Sequence, residues 1–226
     1  MTDTTTDPIA DDTLPVDPAF RDASLPLDER VENLLGQMTL EEKAGLFFQT
    51  MITIGEGGTV AGPIPQFGIA DSAEMIRDRH MSHFNVFGAA SSAAEMAEWH
   101  NRIQEVAAGT RLGIPVTLST DPRHSFSDNP GAAIMAGPFS QWPETLGLAA
   151  IGDEELVEKF ADIARQEYTA VGIRVALHPQ IDLATEPRWA RQVATFGEDP
   201  DLTSRLGAAY IRGFQGAELG PTPSRR

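Results

Sequence analysis

The stretch LGIPVTLSTD, residues 112–121, decides the predicted fold. The strand pattern starts after Gly113, and its β-branched and apolar side chains are typical of a buried strand. Three other short apolar runs resemble it: GLFFQTMI at 45–52, HMSHFNVFGA at 80–89 and IRVALHPQID at 173–182. Because helical patterns alternate with these runs, the sequence predicts an α/β fold with a parallel sheet built from about four β-α units.

The helical patterns have recognisable starts and buried faces. The predicted N-caps are Thr39, Ser92, Asp153 and Asp199, and the first two are completed as capping boxes by a glutamate three residues later. Apolar residues at helical spacing predict which positions face the core. These positions are Val31, Leu34, Leu35 and Met38; Met96, Trp99, Ile103 and Val106; Leu156, Phe160, Ile163 and Ala164; and Leu202, Leu206, Tyr210 and Phe214.

Length and composition limit the domain organisation and the partners. The 226 residues are 41% hydrophobic and 22% charged, which is ordinary for a folded protein. We expect a disordered tail at residues 1–24, one folded unit at 25–216 and an unstructured tail at 217–226. With 33 acidic and 17 basic residues the net charge is −16, so we expect neither nucleic acid nor an anionic membrane as a partner.

Cysteine usage and the amino terminus bear on chemistry and location. The sequence has no cysteine, which excludes disulfides, thiolate zinc sites and a cysteine nucleophile. The first twenty residues lack the basic start and apolar core of a signal peptide. No run approaches the roughly 20 apolar residues of a membrane helix. We therefore expect a cytoplasmic protein.

Polar residues follow three of the predicted strands, where ligands bind in parallel α/β folds. The groups are GEGG at 55–58, STDPRHSF at 119–126 and HPQIDLATEPRWARQVATFGED at 178–199. Asp121 either accepts hydrogen bonds from substrate hydroxyls, acts as an acid or base, or caps a turn. His124 is either a polar ligand contact or a packed imidazole. Asp121, His124 and His178 lack the spacing of a known metal motif, so the sequence predicts no metal site.

Residues 186–200, EPRWARQVATFGEDP, hold two arginines around a tryptophan. Either Arg188 or Arg191 forms an ion pair with Asp182 or Glu186, and spacing alone does not say which. Trp189 either stacks on a sugar or packs in the core. The sequence contains no GxSxG elbow or P-loop, and no GxGxxG follows a strand. The residues alone thus indicate an α/β ligand site with a carboxylate and arginines.

Four blocks of the sequence resemble a known family: RVENLLGQMTLEEKAGLFFQT, AAEMAEWHNRIQEVAAGTRLGIPVTLSTDPRH, FSQWPETLGLAA and PQIDLATEPRWARQVATFGEDPDLTSRLGAAYIRGFQG. In this order they look like the amino-terminal domain of glycoside hydrolase family 3, the β-glucosidase family, over about residues 25–220. The resemblance implies a TIM-type (β/α)8 barrel, here incomplete and holding about the first four β-α units. It also implies a retaining mechanism that acts on terminal β-linked glucose and uses no cofactor.

The resemblance also implies site residues. Asp121 matches the aspartate that binds hydroxyls of the terminal glucose, and Arg191 matches the arginine of the family's R-W-G-R motif that contacts the same sugar. His124 lies in the same segment as Asp121 and is a further substrate-binding candidate. Arg188 and Glu198 are then supporting residues. No residue of this sequence matches a catalytic position.

The sequence departs from the family at two places. Ala194 stands where many members carry a glutamate, which affects the expected substrate preference. After ELGP at 218–221, members continue into a strand with a lysine-histidine pair, then an aspartate nucleophile, then a domain that supplies the acid/base. We therefore expect a fragment that is inactive alone and has an open sheet edge. This edge would associate with a missing barrel half or with a second copy.

Other functions remain open at this point. One is a non-catalytic sugar-binding or interaction module, and another is a product of an interrupted reading frame. Within the family, β-xylosidase and β-N-acetylglucosaminidase are the alternatives to β-glucosidase.

Overall fold

The computed structural model describes residues 15–121, 124–125 and 137–216. Four parallel strands form one sheet in the order β1-β2-β3-β4. The strands are β1 Gln49–Thr53, β2 His83–Phe87, β3 Thr117–Thr120 and β4 Ile173–Ala176. The predicted α/β fold with a parallel sheet is confirmed. Over the described ranges the sheet does not close into a barrel, so β1 and β4 are its two edges.

Helices connect and cover the strands. They are α1 Leu27–Gln37, α2 Leu40–Gly45, α3 Ser72–Arg77, α4 Ala93–Ala108, α5 Thr145–Ile151, α6 Glu154–Ala170 and α7 Pro200–Gln215. In the part of the chain that the structure describes, no helix is long and apolar enough to cross a bilayer.

The main core lies between the sheet and helices α3 and α4. Phe84, Val86 and Leu118 point to this side and are fully buried, and Trp99 and Ile103 of α4 pack against them. A second cluster joins α5, α6 and α7 and includes Phe160, Leu206 and Tyr210. The buried positions predicted for α4 are confirmed. In α6, Phe160 and Ala164 are buried as predicted, whereas Leu156 and Ile163 are only half-buried. Val157 and Ala161 are buried in addition.

The other face of the sheet is polar. Gln49 of β1 reaches across β2 and donates a hydrogen bond from its amide to the Ser119 hydroxyl of β3 at 2.9 Å. Asn85 of β2 lies between them and accepts from the same hydroxyl at 3.3 Å. Among the described residues, these three form a hydrogen-bonded polar group on this face, in contrast to the apolar core on the helix side.

Residues 15–24 belong to the expected tail, and the structure gives them regular contacts. A 3-10 helix, Pro18–Arg21, starts at Asp17, whose side chain accepts from the Ala19 amide. Arg21 donates to the Leu112 carbonyl at 2.7 Å, and the Phe20 amide donates to the Asn33 side chain. These polar contacts hold the segment although it buries little apolar surface. Residues 1–14 and the expected tail at 217–226 lie outside the described residues.

Helix α1 departs from its predicted burial. Only Met38, just after the helix, is buried, while Val31 and Leu35 are 46% and 45% exposed. Leu27 continues this exposed stripe. The prediction assumed that every apolar helix face meets a core, but no described element covers this one.

Candidate functional site

The loops after β3 and β4 bring two predicted polar residues together. Asp121 follows the last residue of β3, and His178 lies two residues beyond the end of β4. The Leu177 amide donates to the Thr120 carbonyl at 3.1 Å and extends the pairing of the strands to this point. The His178 Nε2 atom consequently lies 3.7 Å from the Asp121 Oδ1 atom.

The two members of this pair differ in exposure. The side chain of Asp121 is 22% exposed, whereas that of His178 is 3% exposed. The carboxylate is therefore accessible from solvent on one side, and the imidazole approaches it from the interior. A polar ligand at the carboxyl edge of the sheet can reach Asp121 but not His178.

Tyr210 of α7 completes the inner side of the pair. Its ring stacks on the His178 imidazole, with centroids 6.2 Å apart and planes inclined by 20°. Burial raises the pKa of the Tyr210 phenol, and the nearby Asp121 charge raises it further. The phenol therefore stays neutral at any ordinary pH. We call Asp121, His178 and Tyr210 the aspartate cluster.

His124 lies deeper and has a different partner. It is 1% exposed, and its Nε2 atom lies 2.7 Å from the Glu167 carboxylate on α6. Its ring meets that of Tyr168 edge to face at 4.4 Å. Burial lowers the pKa of His124 despite the opposing effect of Glu167. These surroundings match the packed-imidazole alternative, and a sugar contact by His124 remains a prediction.

Glu167 also anchors the chain that follows. It accepts hydrogen bonds from the Ser140 amide and hydroxyl, and the Trp142 indole donates to that hydroxyl at 3.0 Å. The Trp142 amide in turn donates to the His124 carbonyl at 2.6 Å. Residues 124 and 140–142 are thus fixed to α6.

The loop after β4, residues 177–199, is called the β4 loop, and its two arginines have different surroundings. Arg188 is 88% exposed and forms two hydrogen bonds of 2.9 Å to Glu186. Of the two acidic residues considered, Glu186 is therefore its partner, and Glu198 does not contact it. Arg191 is exposed, and no hydrogen bond or ion pair joins its guanidinium to another described residue.

Two contacts fix the position of Arg191 in spite of its exposure. It directly precedes a 3-10 helix, Gln192–Ala194, in which Ala194 is buried, and the buried Phe196 just beyond this helix belongs to the second core cluster. The Ala184 amide donates to the Gly197 carbonyl at 3.0 Å and closes the loop. Arg191 is thus an available cation on an anchored loop.

The geometry adds residues that the sequence did not single out together. His178 was considered only as a metal ligand and Tyr210 only as a core residue, although His178 lies two residues beyond the end of a strand. Glu167 was not considered at all. Within the described ranges, no three histidine, aspartate or glutamate side chains are arranged to hold a metal ion.

Comparisons with known proteins identify the family. A family model described as the glycosyl hydrolase family 3 N terminal domain matches residues 39–223. A probable beta-glucosidase C of Aspergillus flavus is 54% identical over 209 residues, covering 90% of this chain and 32% of its own length. A periplasmic beta-glucosidase/beta-xylosidase of Dickeya chrysanthemi is 50% identical and covers 89% of this chain and 30% of its own length. The chain thus spans about a third of the length of these relatives.

Solved structures agree with this relationship. A mutant beta-glucosidase from Listeria innocua in complex with laminaribiose has a TM-score of 0.59 and 28% identity, over 84% of this chain and 24% of that one. A beta-glucoside phosphorylase has a TM-score of 0.67 at 21% identity, over 86% of this chain and 31% of that one, which shows the shared fold alone. The match to the family model extends over most of the described sheet and its helices. The chain therefore belongs to glycosyl hydrolase family 3, as a part of its N-terminal domain.

Proposed function

We propose that this chain is the glucose-binding part of a family 3 β-glucosidase. Asp121 accepts hydrogen bonds from hydroxyls of a terminal β-linked glucose, and Arg191 donates to the same sugar. The observation that carries the proposal is the position of Asp121 at the carboxyl end of β3, partly exposed and held from within by His178. The names of the Aspergillus and Dickeya relatives support a glucoside as the ligand.

We further propose that the four strands are the first half of an eight-stranded barrel. In such barrels the helices form an outer ring, and side chains of the strands fill the interior. The helix-covered face of this sheet would then be the outside of the barrel, and the polar face would be its interior. The catalytic carboxyl pair of a retaining glycosidase would come from the remaining half and a further domain. The chain alone would then bind sugar without cleaving it.

Arg191→Ala is expected to weaken glucose binding about tenfold or more. A hydrogen bond to a charged group contributes roughly 1.5–3 kcal/mol, and each 1.4 kcal/mol is about a factor of ten in affinity. Isothermal titration calorimetry with glucose measures the change. Asp121→Ala is expected to remove measurable binding.

Arg188→Ala is the matched control. It removes the same charge as Arg191→Ala from a position three residues earlier in the chain, where the guanidinium is already paired with Glu186. We expect its affinity to stay within about a factor of two of the parent chain. Equal losses in the two arginine variants, or no binding by the parent chain, would contradict the assignment. Titration with xylose in parallel tests the β-xylosidase alternative that the Dickeya relative's name raises.

We propose that isolated chains associate with one another through the open edges of their sheets. Phe47 and Phe48, just before edge strand β1, are 89% and 63% exposed, and Val175 of edge strand β4 is 41% exposed. Unpaired edges with apolar side chains favour pairing between chains. At micromolar concentration we expect light scattering to give masses above the 24.4 kDa of one chain.

Val175→Lys and Phe48→Lys are expected to shift this equilibrium towards the monomer. Phe67→Lys is the control, because Phe67 is also 63% exposed but packs edge to face on Phe87, the last residue of the inner strand β2. A parent chain that stays monomeric, or a control variant with the same effect as the edge variants, would disprove association through the edges.

A further inference from the structure

We propose that His178 is a positioning residue that holds the Asp121 carboxylate in place for the sugar. This inference rests on the proposed function, because it concerns how the sugar-binding aspartate is oriented. The sequence resemblance assigns no role to His178, and the structure brings it to Asp121 from a neighbouring strand.

The first argument is direction. The side chain of His178 is 3% exposed and that of Asp121 is 22% exposed, so the imidazole lies behind the carboxylate as seen from solvent. A residue in this place does not compete with a sugar for the accessible side of Asp121. It restricts the carboxylate rotamers, and an ordered acceptor loses less conformational entropy when the ligand binds.

The second argument is the nature of the contact. The Nε2–Oδ1 distance of 3.7 Å is longer than a normal hydrogen bond, so attraction between opposite charges is the larger contribution. This attraction requires the protonated imidazole. Its strength therefore depends on pH, unlike the attraction of an arginine for a carboxylate.

The third argument concerns the neighbouring groups. Tyr210 of α7 stacks on the imidazole, and Tyr168 of α6 interacts with the Asp121 charge. Burial raises the pKa of both phenols, so both stay neutral. Glu167 is the next carboxylate along α6, and it is paired with His124. Among these groups Asp121 is therefore the anion that acts on His178.

The pair itself is tested by following the histidine ring signals by NMR as pH is varied. In the Asp121→Asn variant we expect the titration midpoint of His178 to move to lower pH by about one unit, the size typical of an opposite charge at this distance. Glu167→Gln is the matched control, since it removes the carboxylate of the other pair and should move His124 instead. A His178 midpoint that is unchanged in Asp121→Asn would overturn the proposal.

The role in positioning is tested by glucose titrations across the same pH range. In the parent chain we expect affinity to fall as pH rises through the titration of His178, because the neutral imidazole no longer attracts the carboxylate. In His178→Gln we expect affinity about five-fold lower at pH 6, corresponding to roughly 1 kcal/mol, and no change with pH in this interval. Parent affinity and an unchanged pH profile in His178→Gln would overturn the proposal.

The two readouts separate this inference from the proposed function. If the parent chain binds no glucose, the proposed function fails, and with it the role in positioning, while the NMR titration still decides whether the pair exists. Circular dichroism tests whether His178→Gln is folded. If this variant is unfolded, His178→Asn replaces it in the same comparison.

Discussion

Gly213→Ala is expected to lower the free energy of unfolding by about 3 kcal/mol, the upper part of the usual range for overpacking. Gly213 lies in α7 where this helix crosses α6, and it is buried. A methyl group at this position would overlap the Glu158 carbonyl oxygen and would lie 2.5 Å from the Ala161 Cβ atom and 2.9 Å from the Asp162 amide nitrogen. The helices must therefore move apart.

The cost is large because backbone atoms of α6 would have to move. A flexible side chain can rotate away from a new methyl group, but the carbonyl of Glu158 is part of the α6 hydrogen-bond ladder. Separation of the helices would also loosen the contacts of Phe160 with Tyr210, whose rings lie 5.6 Å apart. Tyr210 belongs to the aspartate cluster, so we expect Gly213→Ala to disturb the candidate site as well.

Gly36→Ala is the control for this substitution. Gly36 also lies within a helix, α1, and a methyl group there would meet no atom within 4 Å. Alanine is favoured over glycine in a helix by roughly 0.5–1 kcal/mol, so this variant should be slightly more stable than the parent. Urea unfolding followed by circular dichroism measures both. Two variants of equal stability would show that the close approach of α6 and α7 is wrong.

The sequence predicted the strands and helix starts well because their signals are local. Thr39 and Glu42 form the complete capping box, and Asp153 and Asp199 cap α6 and α7 as expected. Ser92 also caps its helix. Each of these depends on a side chain and a backbone amide two or three residues away, which a sequence pattern can express.

Predictions failed where contacts from distant parts of the chain decide the structure. Glu95 was expected to complete a capping box with Ser92, but its carboxylate accepts from the amides of Ser91 and Gly58. The short helices α3 and α5 were not predicted from the sequence. Each spans fewer than two full turns, too few for a periodic apolar pattern to be recognised.

The candidate site was predicted in part for the same reason. Asp121 was chosen as a site candidate because it follows a clear strand, and the choice of Arg191 came from the family resemblance. Pairing of Asp121 with His178 joins residues 57 positions apart through the neighbouring strands β3 and β4. The sequence placed each residue at a strand end, but it did not give the strand order that brings the two together.

The described chain is expected to show no hydrolysis of aryl β-glucosides above the uncatalysed rate. A retaining glycosidase needs two carboxyl groups about 5–5.5 Å apart, one to attack the sugar and one to protonate the leaving oxygen. Enzymes typically accelerate reactions by about 10⁶-fold or more, so catalysis by such a pair would be readily measured. Release of a chromogenic phenol at high protein concentration is a suitable assay.

Two carboxylates of α6 and of the loop after β4 already have partners, which supports this expectation. Glu167 is bound to His124 and Ser140, and Glu186 is bound to Arg188. Asp182 and Glu198 remain as exposed carboxylates on the β4 loop. The double variant Asp182→Asn, Glu198→Gln therefore tests the two residues best able to take the place of the catalytic carboxyl pair.

Controls distinguish turnover by this chain from a contaminating glycosidase. Activity that persists in Asp121→Ala would come from another protein, because this variant is expected to lose the sugar site. Activity that Asp121→Ala abolishes would contradict the proposal that the catalytic pair lies elsewhere. If the double variant of Asp182 and Glu198 also abolished it, the pair would lie on the β4 loop. A chain that binds glucose but does not hydrolyse glucosides would show that recognition of the sugar is separate from its cleavage. The residues that bind glucose would then function without the carboxyl pair.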